Sequence, residues 1–197
     1  MNLPVAGDIQ SVVDDDCLQS FFRNLSVYIP MPDGVKIAAD IWLPETANAV
    51  DKVPVMVEFT RYWRVGEDKA PRNRVLNFPK LGFAHAVVDC RGSGASFGSR
   101  QAEQSVTEIR DFAHVINWLA EQPWSNGSVI SIGSSYSGNT AEFAMIDAPA
   151  ALKASIPRFS DFDVYNHIFF PGGLLNKVLT WSYGESVYAL DMNHVDD

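Results

Sequence analysis

Between Ile130 and Thr140 the chain reads ISIGSSYSGNT, a β-branched run that breaks into serines, glycines and one tyrosine. Strand character ends at Ile132 and helix character begins near Ser137, so Ser135 falls on the turn between them. A serine in that place can act as a nucleophile. Small residues on either side let the chain turn tightly enough to lift the hydroxyl out of the sheet, and the following helix aims N–H groups and its positive dipole end at a developing oxyanion. Gly133 is the first small residue. The common G-x-S-x-G pattern would place the second at 137, but Ser137 stands there and Gly138 comes one later, giving G-x-S-Y-x-G. Tyr136 would donate one of the oxyanion N–H groups. A plain Ser/Gly-rich link between a strand and a helix fits the same spacing, and spacing alone leaves both readings open. A phosphate-cradling loop fits less well, since neither G-x-G-x-x-G nor a G-K-[ST] ending is present.

Elements on both sides must hold such a turn. NLSVYIP and VKIAADIWLP flank MPDG, whose Pro32, Asp33 and Gly34 favour a turn, so residues 24–44 read as a β-hairpin at a sheet edge. VPVMVEFT (Val53 to Thr60), FAHAVVDC (Phe83 to Cys90), SVISIG (Ser128 to Gly133) and a shorter LKASIP near residue 155 read as strands covered on both faces. Ser105 and Glu108 form an S-x-x-E capping box. Ile109, Phe112, Ala113, Ile116, Leu119 and Ala120 then recur on one face of a helix over 106–121, which Pro123 ends. A second helix should start near Ser137 and run to Pro149; residues 72–81, interrupted by Pro79, are a weaker candidate. The alternation implies an α/β fold: a mostly parallel sheet with helices on both faces behind an antiparallel hairpin. Residues 1–20 form an irregular acidic lead-in. After about residue 158 the alternation gives way to an aromatic-rich, increasingly helical stretch.

The bulk properties agree with one globular domain. The 197 residues are 47% hydrophobic and 20% charged, which is ordinary for a protein with a single core. A net charge of −9 disfavours nucleic acid and anionic membrane as partners. Cys17 and Cys90 make no disulfide framework, and Cys90, after an apolar run, reads as a buried reduced thiol. No secretory signal or membrane-length apolar run is visible, so the expected setting is the cytoplasm. No metal-ligand spacing is present, and the chemistry proposed for Ser135 requires no cofactor.

In order along the chain, VYIPMPDGVKIAADIWLP, PVMVEFTRY, GFAHAVVDCRGSGASFG, DFAHVINWLAEQPWSNGSV, SIGSSYSGNT and LKASIPRFSDFDVY cover residues 25–165. With these pieces the chain resembles the N-terminal part of the X-Pro dipeptidyl-peptidase-like serine hydrolases, which include cocaine-esterase-like and α-amino-acid ester hydrolase branches. The resemblance implies an α/β-hydrolase fold, with its N-terminal part over 21–158 and the start of a helical cap over 159–197. It makes Ser135 the acyl-accepting nucleophile, Tyr136 a backbone N–H donor to the oxyanion hole and Tyr62 a second donor through its phenolic O–H. Tyr62 could otherwise be an aromatic rim residue. The family commonly has proline before that tyrosine, where Arg61 stands here. Asp89 and Arg91 read as a structural ion pair holding a loop, and Glu103, Glu108 and Asp111 as the solvated start of a helix.

A serine needs a base, and in this fold the acid and histidine follow it in the chain. His85 and His114 precede Ser135 and read as packing or surface residues. His167 and His194 follow but fall in the cap region, outside the setting the family gives its histidine. Asp161 could serve as an acid only in a variant layout. The expectation is a chain truncated before its acid and histidine, a feeble hydrolase on its own, acting on a small-molecule ester or short peptide. Trp63, Phe169, Phe170 and Trp181 could line its pocket, though core packing suits most of them better. The competing expectation is a catalytically silent fragment or pseudoenzyme that binds a partner. A half-sheet edge would suit a homo-oligomer or a complementing C-terminal polypeptide.

Overall fold

The computed structural model of the chain describes residues 22–64 and 77–192. The lead-in, Cys17, His194 and the first half of the 72–81 stretch lie outside the described residues.

The turn at MPDG closes as its residues dictate. Gly34, at φ 85°, donates its N–H to the Met31 carbonyl at 2.9 Å, and Val35 N–H bonds to the Asp33 carboxylate at 3.1 Å. It joins β1 (Phe22–Pro30) to β2 (Lys36–Pro44) in antiparallel register, with Tyr28 opposite Ala38. After β3 (Val53–Thr60) come α1 (Asn77–Lys80), one turn with Pro79 inside it, and β4 (Ala84–Asp89). The chain continues through α2 (Val106–Ala120), β5 (Ser125–Ser134), α3 (Tyr136–Phe143) and β6 (Leu152–Arg158). A π-helical turn (Tyr165–Phe169), a 3-10 turn (Pro171–Gly173) and α4 (Lys177–Asp191) follow.

The sheet order is β1-β2-β4-β3-β5-β6. β2 pairs antiparallel with β4, and β4, β3, β5 and β6 run parallel. The chain steps from β3 to β4 on one side, then crosses to β5 on the other. The C-terminal ends of these strands therefore open a crevice at a topological switch point, where α/β sheets bind ligands. Residues 60–62, 89–91 and 134–136 all lie there. Valines and isoleucines fill both faces of the inner strands; Val55, Val57, Ala86, Val88 and Val129 are fully buried.

α2 carries the expected capping box and packs Phe112 against Phe59, ring centroids 4.4 Å apart. Its buried stripe, however, runs through Glu108, Asp111, Phe112, Val115, Ile116 and Leu119. This corrects the expectation of a solvated helix start: two of the three acids face inward because each has a buried partner. The Asp111 carboxylate accepts a two-pronged bond from Arg91, Nε and Nη2 each at 2.7 Å. Arg91 Nη1 reaches Asp33 at 2.8 Å, tying the hairpin turn to α2. Asp89 and Arg91 are thus not partners of each other. The Asp89 carboxylate, fully buried, takes the Arg64 side chain at 2.7 Å and the Arg64 and Ala95 backbone N–H groups. Both residues hold loops, as expected, but through separate pairs. Glu103, half-buried, pairs with Arg61.

α3 stops at Phe143, short of the expected Pro149. Beyond it, Met145 and Ile146 bond back three residues to Glu142 and Phe143, and both side chains are exposed, so no apolar face sustains a further helical turn.

Replacing Asp111 by Asn removes the charge from a buried, bidentate pair and leaves Arg91 short of its partner. Asp111→Asn should cost about 3 kcal/mol of unfolding free energy, read as a lower urea midpoint at unchanged slope.

Candidate active site

Ser135 sits between β5 and α3 with φ 61° and ψ −126°, a conformation that strains any side-chain-bearing residue. Its backbone is held from both sides. The Ser135 N–H donates to the Arg158 carbonyl at the end of β6 at 3.0 Å, and its carbonyl accepts from Asn139 N–H at 2.9 Å. The side chain is exposed, and its Oγ has no hydrogen-bond partner among the described residues.

Two glycines make the turn possible, and they explain the shifted spacing. A Cβ at Gly133 would collide with the Ser137 carbonyl and Cβ; one at Gly138 would collide with the Arg158 carbonyl. The second obligatory small position is therefore 138, where α3 crosses β6. Position 137 tolerates serine, packed against Gly133 and buried. Tyr136 opens the helix, so its N–H belongs to the first turn, where no intrahelical acceptor exists.

The Tyr136 side chain points into the core. Its hydroxyl donates to Glu108 Oε1 at 3.1 Å and lies 3.6 Å from Cys90 Sγ. Glu108 in turn accepts from the Ser105 N–H at 3.0 Å, so the cap of α2 and the residue after Ser135 share one carboxylate. Burial raises the Glu108 carboxyl above its ordinary range. Burial likewise pushes the Tyr136 phenol and the Cys90 thiol well up, so Cys90 stays a protonated, inert thiol.

Tyr62 follows β3, its N–H bonded to Thr60 Oγ1 at 3.0 Å, and its ring meets the Tyr136 ring edge-on with centroids 5.7 Å apart. The structure therefore brings Tyr62, Tyr136 and the Ser135 turn together. The Tyr62 hydroxyl contacts that of Tyr183 on α4 at 3.2 Å, and Tyr183 donates to Glu103 Oε2 at 3.0 Å. Arg61 is buried to 1% exposure; it pairs with Glu103 and Asp191 and donates to the Val187 carbonyl. Arg100 joins at Asp191, 2.9 Å away. Sequence reasoning missed Tyr183, Glu103 and Asp191, because nothing local marks a partner that lies 121 residues away from Tyr62.

Histidines are placed elsewhere. His85 is buried inside β4 against Phe78, ring centroids 4.9 Å apart, and His114 Nε2 lies 3.0 Å from the Pro30 carbonyl. His167 is exposed on the π-helical turn. Asp161 bonds through its N–H to Asn139 Oδ1 at 2.8 Å. Of the aromatic residues considered for a pocket, Trp181 is 59% exposed and Phe170 stacks on Tyr165 at 4.5 Å.

A switch-point sheet that presents a strained, outward serine ahead of a helix defines a domain of the α/β-hydrolase class. Residues 33–194 match the family model for the X-Pro dipeptidyl-peptidase (S15 family), and the chain belongs to that family of serine hydrolases. It is 39% identical over 190 residues to a Mycobacterium bovis protein provisionally named a serine esterase, covering 87% of this chain and 30% of that protein. It is 32% identical over 160 residues to the cocaine esterase of a Rhodococcus species, covering 80% of this chain and 27% of that enzyme. A crystal structure of a Staphylococcus aureus CocE/NonD family hydrolase superposes with a TM-score of 0.76 at 22% identity, over 97% of this chain and 40% of that one, a likeness of fold. The chain thus spans about 30% of the length of the curated relatives it matches.

Two outcomes follow from this geometry. Glycine relieves the strain at φ 61°, so Ser135→Gly should raise stability by about 1 kcal/mol, read as a higher Tm. Glu108 binds its proton more tightly in the folded state, so the stability it contributes is present below about pH 4.3 and is lost as pH rises through its folded value. Glu108→Gln keeps one acceptor oxygen for the Ser105 N–H, turns its NH2 to the Tyr136 hydroxyl and cannot titrate. Its Tm should therefore fall less than that of the parent between pH 4.3 and neutrality.

Proposed function

We propose that this chain carries the nucleophile half of a serine hydrolase site. Ser135 Oγ attacks the carbonyl carbon of an ester or amide, and the carbonyl π electrons move to oxygen. The Tyr136 N–H and the Tyr62 O–H stabilise that oxyanion. The C–O or C–N bond then breaks, the alcohol or amine leaves with the proton taken from Ser135, and water releases the acyl group from the serine. The base that carries this proton, and the acid that orients it, come from outside the described residues. The observation behind this reading is the strained, exposed Ser135 turn, whose cost is unexplained by packing. Small esters and short peptides, among them α-amino-acid esters and X-Pro peptides, are the substrate class that the family suggests, and a cytoplasmic setting suits the reduced Cys90 thiol.

Without an acid and a histidine the Ser135 site would be a weak hydrolase, since a site lacking triad members retains about 10³–10⁴-fold over water. The outer edge of β6 supports a complementing polypeptide as partner. Ile156 there is 43% exposed, and Phe159 and Phe162 just beyond it are nearly bare. A silent, partner-binding role would use the same edge.

The two are separated by a fluorophosphonate probe. Slow covalent labelling of Ser135, abolished in Ser135→Ala and accelerated by the C-terminal remainder of a relative, is the expected result. A folded chain that takes no label with or without that remainder would leave only the binding role.

A further inference from the structure

The hydrogen bonds from Tyr62 to Tyr183 and on to Glu103 have a direction set by counting protons. Each phenol owns one O–H. Tyr183 gives its proton to Glu103 Oε2 at 3.0 Å, and Glu103, paired with Arg61, can only accept. The proton in the 3.2 Å contact between the two phenols is therefore that of Tyr62. That is the same proton assigned above to the acyl oxyanion.

The helix that brings Tyr183 is held in a particular way. α4 buries none of its side chains, and Val178, Trp181 and Tyr188 are exposed. Polar contacts dock it: Arg61 to Asp191 and to the Val187 carbonyl, Arg100 to Asp191, and the two tyrosines. Arg61, standing where proline is common in the family, is the buried centre of this clamp.

We propose that Tyr183 is a positioning residue which withholds the Tyr62 proton from the acyl oxygen while α4 is docked, making the second oxyanion donor conditional on the cap helix. This rests on the reading of Ser135 and Tyr62 given above. A neutral phenol oxygen and a neutral substrate carbonyl compete for the proton on similar terms. An oxyanion accepts about twice as strongly and wins it as charge develops. Each acylation must still break the Tyr62–Tyr183 bond, so removing the Tyr183 oxygen should accelerate acylation by about fivefold, the worth of one net hydrogen bond.

The test uses four chains: the parent, Tyr183→Phe, Tyr62→Phe and the double variant. The rate of fluorophosphonate capture at Ser135 is the first readout, because the probe's phosphoryl oxygen takes the oxyanion position. Tyr183→Phe should react about fivefold faster than the parent. Tyr62→Phe should react about a hundredfold slower, and the double variant should match Tyr62→Phe. The second readout is hydroxyl exchange by NMR with 13Cζ-labelled tyrosine: slow at Tyr62 in the parent and faster in Tyr183→Phe. A Tyr183→Phe chain no faster than the parent, the same acceleration without the Tyr62 hydroxyl, or fast Tyr62 exchange in the parent overturns the proposal while leaving Ser135 as nucleophile. Absence of label at Ser135 in all four chains, with and without the C-terminal remainder of a relative, removes the nucleophile reading, and the withheld-donor role with it.

Discussion

The close crossing of α3 over the ends of β5 and β6 governs everything around Ser135. Backbone meets backbone there, with no side chain between them, because Gly133 and Gly138 have none to offer. The Arg158 carbonyl serves the crossing twice: it accepts the Ser135 N–H and lies against Gly138. With its N–H and carbonyl both committed, Ser135 has no relaxed conformation available, and its hydroxyl is turned outward. Strain at a residue exposed to solvent, with its oxygen unbonded, stabilises nothing by itself. That is the ground for the nucleophile role proposed for Ser135.

Around this crossing the protein uses buried charge as its framework. Asp89 with Arg64 and Asp111 with Arg91 each join the end of β4 to a loop or helix, and Glu108 with Tyr136 joins α2 to the start of α3. Such groups add little net stability compared with apolar packing, but they impose particular partners and directions. Glu108 shows why this matters for the site. One carboxylate caps α2 and anchors the residue next to Ser135, so the position of Tyr136 depends on an element more than twenty residues earlier in the chain. The cap helix follows the same rule, since α4 is docked by ion pairs and phenols and leaves Val178, Trp181 and Tyr188 exposed.

Strand placement and the main helix were readable because each rests on a local rule. Valine runs mark strands buried on both faces, and the Ser105–Glu108 box with its periodic apolar residues marks α2. The errors share one cause. Asp111 and Glu108 read as solvated because a charge without a visible partner belongs in water; their partners come from other parts of the chain. Asp89 and Arg91 read as a pair because they are close in sequence, yet each bonds elsewhere. The end of α3 was overrun because Met145 and Ile146 look like helix core, while the fold gives them nothing to pack on.

By itself the sequence determined which residue could be the nucleophile, since a tight strand-to-helix turn demands small residues at fixed distances and those distances are a local property of the chain. It also determined the sheet, through patterns that span only a few residues. Only the tertiary structure decided why the second small residue must be Gly138, because the atom it must avoid belongs to Arg158 on another strand. Tertiary structure alone also decided that the Tyr62 proton is spoken for by Tyr183. Hydrogen-bond direction depends on which acceptors folding brings within about 3 Å, and no spacing along a chain records that.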